Sequence, residues 1–489
     1  MAHQSYFLSV DIGTTTSKGT IIDQSGNVVS ENNINHSGIF PKPGWHEHDP
    51  EKMWWEEFIQ ITRGLLARLG SAKPSVEAIS VSGVWPSFCP TDSQGNPLYN
   101  AILYDDERSV AIVKDLKKQL GENLYGYELI PRILWLKNQL PDIWSKTRMF
   151  FSTHNYIIYK LTSTYCLDGH TAFSYGTGFD EENFEWDKSI LSNYDIPINI
   201  MPKVFAPSKI AGYLNEEPAN ILGLKSGIPL TVSTGDSFTS ILGSGANKIG
   251  DRMLLYGSVG ILLALTHDVD FIFTSESYKD GDEGTDWLLS LSKSGKQLEW
   301  VARLLTGKLV NNIPVDLAYL DELTNSIPKP SSIKFFYDIP IKQKDIILAK
   351  TPHACFFGLT QSSLIGELYL AVLEAFGFCV KKNIQDVYID KSNVELNRLF
   401  AAGGGARSKT WRQIVSDITG FEQLYLPDSI GAYGGALLAA ISVGKFNFRQ
   451  LENLVLERAL KTIPNYLNFQ LYEKSYSDYL HILNLFQTL

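Results

Sequence analysis

Near the start of the chain, Val10-Asp11-Ile12-Gly13-Thr14-Thr15-Thr16-Ser17-Lys18 lies between two apolar runs, Tyr6-Phe7-Leu8 and Ile21-Ile22. The pattern predicts strand, tight turn, strand. The same layout returns far downstream, from Met253 to Leu263, around Gly257 and Gly260. Two glycine hairpins of this kind imply a duplicated fold, with both halves offering a loop to one ligand. Between them, short apolar runs alternate with longer helical patterns, which predicts an α/β architecture. A length of 489 residues allows two or three domains. The small-residue stretch from Gly243 to Gly250 marks the boundary, so the expected domains are 1–245 and 246–489.

The first turn offers backbone N–H groups, hydroxyls and Lys18 to a polyphosphate. Asp11, at its entry, is placed to hold a magnesium ion directly or through water. A purely structural hairpin would read the same way, and the chain has neither a GxxxxGK[ST] loop nor a GxGxxG turn. Composition narrows the partners. With 44% hydrophobic and 20% charged residues the chain is an ordinary globular protein, and its net charge of −10 argues against a nucleic-acid backbone as partner. Cys89, Cys166, Cys355 and Cys379 form no CxxC pair, so they read as free thiols of a reducing compartment. No basic segment leads into a long apolar core and no apolar run approaches a membrane span, so the expectation is a cytoplasmic protein with no membrane partner.

Three further segments carry chemistry. Ile228 to Val232 leads into Thr234-Gly235-Asp236-Ser237, which sets Asp236 at a strand end, where catalytic groups of α/β proteins sit. Phosphoryl transfer to an alcohol needs one such carboxylate to accept the proton of the attacking hydroxyl; a helix-capping aspartate is the competing reading. A strand over Leu396 to Phe400 leads to Gly403-Gly404-Gly405, and Trp411, Ile414, Val415 and Ile418 follow at helical spacing until Gly420. A glycine turn before a helix suits a nucleotide, as does Gly431 to Gly435, although both also suit helix packing. A helix is expected after Asp49-Pro50, with Trp54, Phe58, Ile61 and Leu65 on its buried face. His46-Glu47-His48 lies in a loop and lacks the spacing of a metal helix.

In this order the segments resemble the FGGY carbohydrate kinases, of the sugar kinase, actin and chaperone ATPase superfamily. The opening Asp-x-Gly-Thr-Thr-x-Ser loop fits, as does Gly44-Trp45-His46-Glu47-His48-Asp49-Pro50. So do Pro97 to Arg108, Ala354 to Glu374 and the glycine turns at 403–405 and 431–435. The resemblance implies two actin-like (ribonuclease H-like) domains around a central nucleotide and sugar cleft. It implies ATP and Mg2+, with Asp236 as general base and Asp11 and Asp236 toward the metal. Gly13, Thr14, Thr15, Lys18, Gly257 and Ser258 would hold the phosphates, and Gly404, Gly405 and Ser408 the adenosine. The acceptor, a small sugar or sugar acid, would meet Trp85, Pro86, Tyr104, Arg108, Asp236 and Ser237. Trp85-Pro86 stands where gluconate and xylulose kinases carry Met-His, and Arg132 where the first family signature expects Lys. The run from Asp236 to Ala246, and Phe356-Phe357-Gly358-Leu359, are similar to gluconate kinases. Those likenesses favour D-gluconate over D-xylulose or another ketose or polyol; against this, a carboxylate acceptor wants a cation, and Arg108, the candidate, matches an arginine that members binding neutral sugars carry too. An actin- or chaperone-like ATPase and a catalytically silent sugar sensor are the alternatives of another class; homodimers are common among relatives.

Overall fold

The computed structural model describes residues 5–70, 75–120, 125–257, 259–276, 287–308, 314–337, 354–386, 398–427 and 429–488. It forms two compact units. The first comprises Met1–Asn247, Val269–Gly284 and Asp428–Leu454; the second comprises Lys248–Asp268, Thr285–Pro427 and Val455–Leu489.

The first unit is built on six strands: β1 (Ser5–Ile12), β2 (Thr16–Asp23), β3 (Val28–Asn35), β4 (Ser75–Gly83), β5 (Ile210–Tyr213) and β6 (Pro229–Thr231). Their spatial order is β5-β6-β4-β1-β2-β3. Central β1 pairs antiparallel with β2 and parallel with β4, and its Phe7, Leu8, Val10 and Ile12 are all buried. A strand covered on both faces is apolar almost throughout, whereas edge strand β3 reads VVSENNIN and faces water along much of its length.

Asp49 caps the expected helix by accepting from the backbone N–H groups of Glu51 and Lys52, with Pro50 at the first helical position. The segment Pro50–Glu56 is wound more widely, as a π-helix, before α1 (Glu57–Arg68) takes over. Trp54, Phe58, Ile61 and Leu65 are buried in one cluster with Leu8, Val10, Ile21 and Val81 of the sheet.

The second unit repeats the plan with β7 (Arg252–Tyr256), β8 (Val259–Leu265), β9 (Trp287–Lys293), β10 (Arg398–Ala402), β11 (Glu422–Tyr425) and β12 (Leu460–Thr462). The order is β9-β8-β7-β10-β11-β12, again an antiparallel hairpin followed by two parallel pairings and one antiparallel edge. The expected strand from Leu396 begins at Arg398, residues 396 and 397 lying outside the described residues. The duplicated hairpins thus belong to duplicated sheets.

The chain crosses to the second unit after Asn247, close to the expected boundary, but the segment from 428 to 454 returns to the first. The glycine run 431–435 therefore belongs to the first unit, and Gly403-Gly404-Gly405 to the second. The run 431–435 lies inside α7 (Ile430–Ser442), which packs on β1, β4 and α3 (Asp236–Ser244) of the first unit. A Cβ on Gly434 would sit 1.8 Å from the carbonyl oxygen of Thr239, so glycine is what lets the two helix backbones touch. Among the described residues no helix is long and apolar enough to cross a membrane.

Candidate active site

In the first unit, the register sets Asp11 opposite Lys18 across the hairpin and beside Ser82 of β4. Ser82 Oγ donates to Asp11 Oδ1 at 2.7 Å. Gly13, Thr14 and Thr15 form the turn between β1 and β2. Two histidines brace that turn from behind, His36 Nε2 and His48 Nε2 each lying 3.1 Å from the Thr14 carbonyl oxygen. Trp54 Nε1–H donates to His48 Nδ1 at 3.1 Å, so the proton of neutral His48 is on Nε2 and points to Thr14. Burial, then the nearby His36, pulls the His48 pKa down to about 3 and keeps it neutral. His36 Nδ1 lies 3.0 Å from Glu57, the first residue of α1.

Beyond β4, Gly83 bridges Gly235 and so brings the two strand ends together. Asp236 is the first residue of α3 rather than its cap, which is Gly235. A Cβ on Gly235 would lie 1.9 Å from Trp85 Cδ1, so only a glycine admits the indole against the backbone beside Asp236. The indole also meets Phe238 at 5.0 Å between centroids, and the Trp85–Pro86 bond is cis. His170 also stacks on Phe238, at 4.0 Å between centroids. Burial, then the charge of Asp11, pushes the Asp236 carboxyl up to about pKa 7. Burial likewise raises Asp11, against the Ser82 hydrogen bond and the charge of Lys18. Ser237 Oγ lies 3.4 Å from Asp236 Oδ1.

Tyr104 completes the cluster: desolvation, then the charges of Asp105 and Asp236, push its hydroxyl up to about 12. The structure thus brings Asp11, Thr14, Lys18, Trp85, Tyr104, Asp236 and Ser237 together. Arg108 is different. Its Nε donates to Asp106 at 2.7 Å and its Nη2 to Glu47 at 2.7 Å, its side chain is 1% exposed, and its guanidinium lies 3.9 Å above the Trp45 ring. Two carboxylates already neutralise it, so it is not the free cation expected for an acidic acceptor. His46-Glu47-His48 disperses in the same way, to Asp105, Arg108 and Thr14. Ser82, His48 and His170 were not singled out for this site from sequence; their places depend on strand register and on contacts distant in the chain.

In the second unit, Gly403-Gly404-Gly405 follows β10 and leads into α6 (Lys409–Thr419). Gly404 faces open space, while Gly405 lies against Trp411 and Tyr256. The Ser408 hydroxyl is engaged: it accepts from Trp411 N as the cap of α6 and donates to Asp321 at 2.7 Å. Gly257, in the β7–β8 turn, accepts from Gly295 N at the start of α4 (Gly295–Leu305); Ser258 lies outside the described residues. A cavity of about 60 Å³ is lined by Ser294, Leu298, Phe376, Trp411 and Tyr479, and the buried Ser294 Oγ and Trp411 Nε1 have no hydrogen-bond partner among the described residues.

Two units of one sheet plan, the first with a hydroxyl-rich hairpin beside two buried carboxylates, define an α/β protein of the actin-like class. The chain belongs to the FGGY family of carbohydrate kinases: the family's N-terminal domain matches residues 6–243 and its C-terminal domain residues 277–443. It is 26% identical to xylulose kinase of Staphylococcus xylosus over 99% of both chains. It is also 26% identical to glycerol kinase of Beutenbergia cavernae, over 91% of this chain and 90% of that one. Among solved structures, gluconate kinase from Lactobacillus acidophilus superposes with a TM-score of 0.80 at 21% identity, over 99% of this chain and 98% of that one. The protein is thus a phosphotransferase with an alcohol group as acceptor, in a family of sugar kinases that use ATP.

Proposed function

We propose that the protein is a cytoplasmic kinase that transfers the γ-phosphoryl group of ATP to a hydroxyl of a small neutral ketose or polyol, D-xylulose foremost, and not to D-gluconate. The observation that carries the choice is Arg108, buried between Glu47 and Asp106. A carboxylate acceptor brought into this site would meet the carboxyl groups of Asp11 and Asp236, while the Arg108 guanidinium is already paired with Glu47 and Asp106, a costly desolvation. Relatives named for xylulose and glycerol act on neutral acceptors, in keeping with that argument.

Asp236 is the general base. As the acceptor oxygen bonds to the γ-phosphorus and the bond to ADP breaks, the hydroxyl proton passes to the Asp236 carboxylate. Gly13, Thr14, Thr15 and Lys18, with Gly257, take the phosphates; Lys18 sets positive charge opposite Asp11. Trp85, Pro86, Tyr104 and Ser237 orient the acceptor at the base, and Arg108 shapes that side from behind. Gly404 and Gly405, with the Ser294 and Trp411 donors of the neighbouring cavity, suit the adenosine; Ser408 serves through the α6 cap it forms. Asp11 and Asp236 fit Mg2+, since a divalent cation would stabilise two buried carboxyl groups, of which the Asp11 charge raises the proton affinity of Asp236. When bound, the ion would neutralise phosphate charge.

The test is a screen of D-xylulose, L-ribulose, glycerol and D-gluconate, read as ADP release. Turnover with a neutral acceptor at least tenfold above that with gluconate is expected; gluconate as the best acceptor would overturn the choice. ATP hydrolysis indifferent to every acceptor would instead favour an ATPase.

A further inference from the structure

We propose that Arg132 is a positioning residue for the acceptor, tying the loop of Trp85 and Pro86 to the loop of Leu103 and Tyr104. The proposal rests on the reading of those loops as the acceptor side of a kinase site.

Arg132 lies on α2 (Leu129–Gln139), wholly buried. Its Nη1 donates to the Pro86 carbonyl at 3.2 Å and its Nη2 to the Leu103 carbonyl at 2.7 Å. These carbonyls belong to loops already joined at one point. Phe88 and Ile102 exchange two backbone hydrogen bonds, each 2.9 Å. Beyond that bridge, toward Trp85 and Tyr104, no backbone hydrogen bond among the described residues joins the loops. The guanidinium spans the gap, and its planar fork matches two diverging carbonyls as an ammonium would not.

Packing alone does not account for a cation here. Among the described residues no carboxylate lies within ion-pair distance of Arg132, and its Nε has no partner. Burial pulls its pKa down to about 10, with Asp106 and Asp105 acting the other way and the Arg108 charge adding to the fall, so it stays charged at neutral pH. A hydrophobic side chain of similar volume would fill the space without that desolvation. What it could not do is fix the spacing of the Trp85 indole, which lies against Gly235, and the Tyr104 phenol, which feels the charge of Asp236.

The experiment compares wild type, Arg132→Lys and Arg132→Met by steady-state kinetics and by amide hydrogen exchange. In Arg132→Met the KM for the best acceptor should rise at least tenfold while that for ATP stays within twofold. Exchange should quicken in peptides covering 84–88 and 101–106 and not in β1 or β2. Arg132→Lys, which keeps the charge and one donor direction, should fall between the two, and it carries the test if the Met variant fails to fold. Unchanged acceptor KM and exchange would overturn the proposal, and so would both KM values rising together with exchange faster throughout the first unit. A wild type that phosphorylates no acceptor would overturn the kinase reading and the acceptor role with it, while exchange would still decide whether Arg132 ties the loops.

Discussion

Asp236 and Asp11 act on one another, and the consequence is a dependence on pH. As the proposed general base, Asp236 would work ionised, and burial together with Asp11 lifts it to about 7, so kcat/KM should climb through about pH 7 and level above it. Asp11→Asn removes the second of those causes, so the limb of its residual activity should move to lower pH; a limb that stays in place would uncouple the pair. Asp236→Ala should lower turnover by roughly 10²–10⁴-fold, the usual worth of a general base, with ATP binding retained. The same shift has a sign for stability. A carboxyl whose folded pKa stands above its ordinary value binds its proton more tightly when folded. The stability it contributes is complete below the ordinary pKa of 3.8 and is lost as pH rises through about 7. In chelator, Asp236→Asn should therefore melt above wild type at pH 8 by a wider margin than at pH 5. Equal margins in thermal unfolding would remove desolvation as the cause.

At the scale of elements, the contact of α3 with α7 places the base. Gly243 and Gly434 are where the helices meet, a Cβ on Gly243 falling 1.9 Å from the Ile430 carbonyl oxygen. Gly434→Ala must part the two backbones, a form of overpacking that costs about 1–3 kcal/mol. Its melting temperature should fall, and turnover should fall with it because α3 begins at Asp236; a variant with unaltered activity would show that α3 does not depend on this crossing. The crossing also shows why some of the site was legible in sequence and some was not. The turn from Asp11 to Lys18 and the approach to Asp236 are local, a strand end and the glycine beside it, so residue type and spacing reveal them. The run 431–435 also reads locally as a glycine turn, but its helix returns to the first sheet, and no neighbouring residue announces that return. Ser82 becomes a partner of Asp11 only through the parallel register of β1 with β4. Arg108 reads as a free cation until Glu47, distant in the chain, is folded against it.

For the whole molecule, duplication gives two units with separate cores, and on the proposed function each would take one part of the binding work. The first carries Trp85, Tyr104 and Asp236, and the second carries Gly404 and Gly405 with the cavity at Trp411. A ligand stabilises the segments whose native state it binds, by about 2.7 kcal/mol at a hundredfold excess over Kd. Adenosine, which lacks phosphates and so has no claim on the hairpin of the first unit, should slow exchange in peptides covering 403–412 and leave 84–88 and 101–106 unchanged. D-Xylulose should do the reverse. Hydrogen exchange on the intact chain, with each ligand added alone, reads both patterns in one experiment. Adenosine protecting 84–88, or the sugar protecting 403–412, would mean that the division of labour read from the two sheets is wrong, even if the protein proves to be a kinase. Protection confined to the expected unit in each case would separate the acceptor side from the adenosine side without any reliance on turnover.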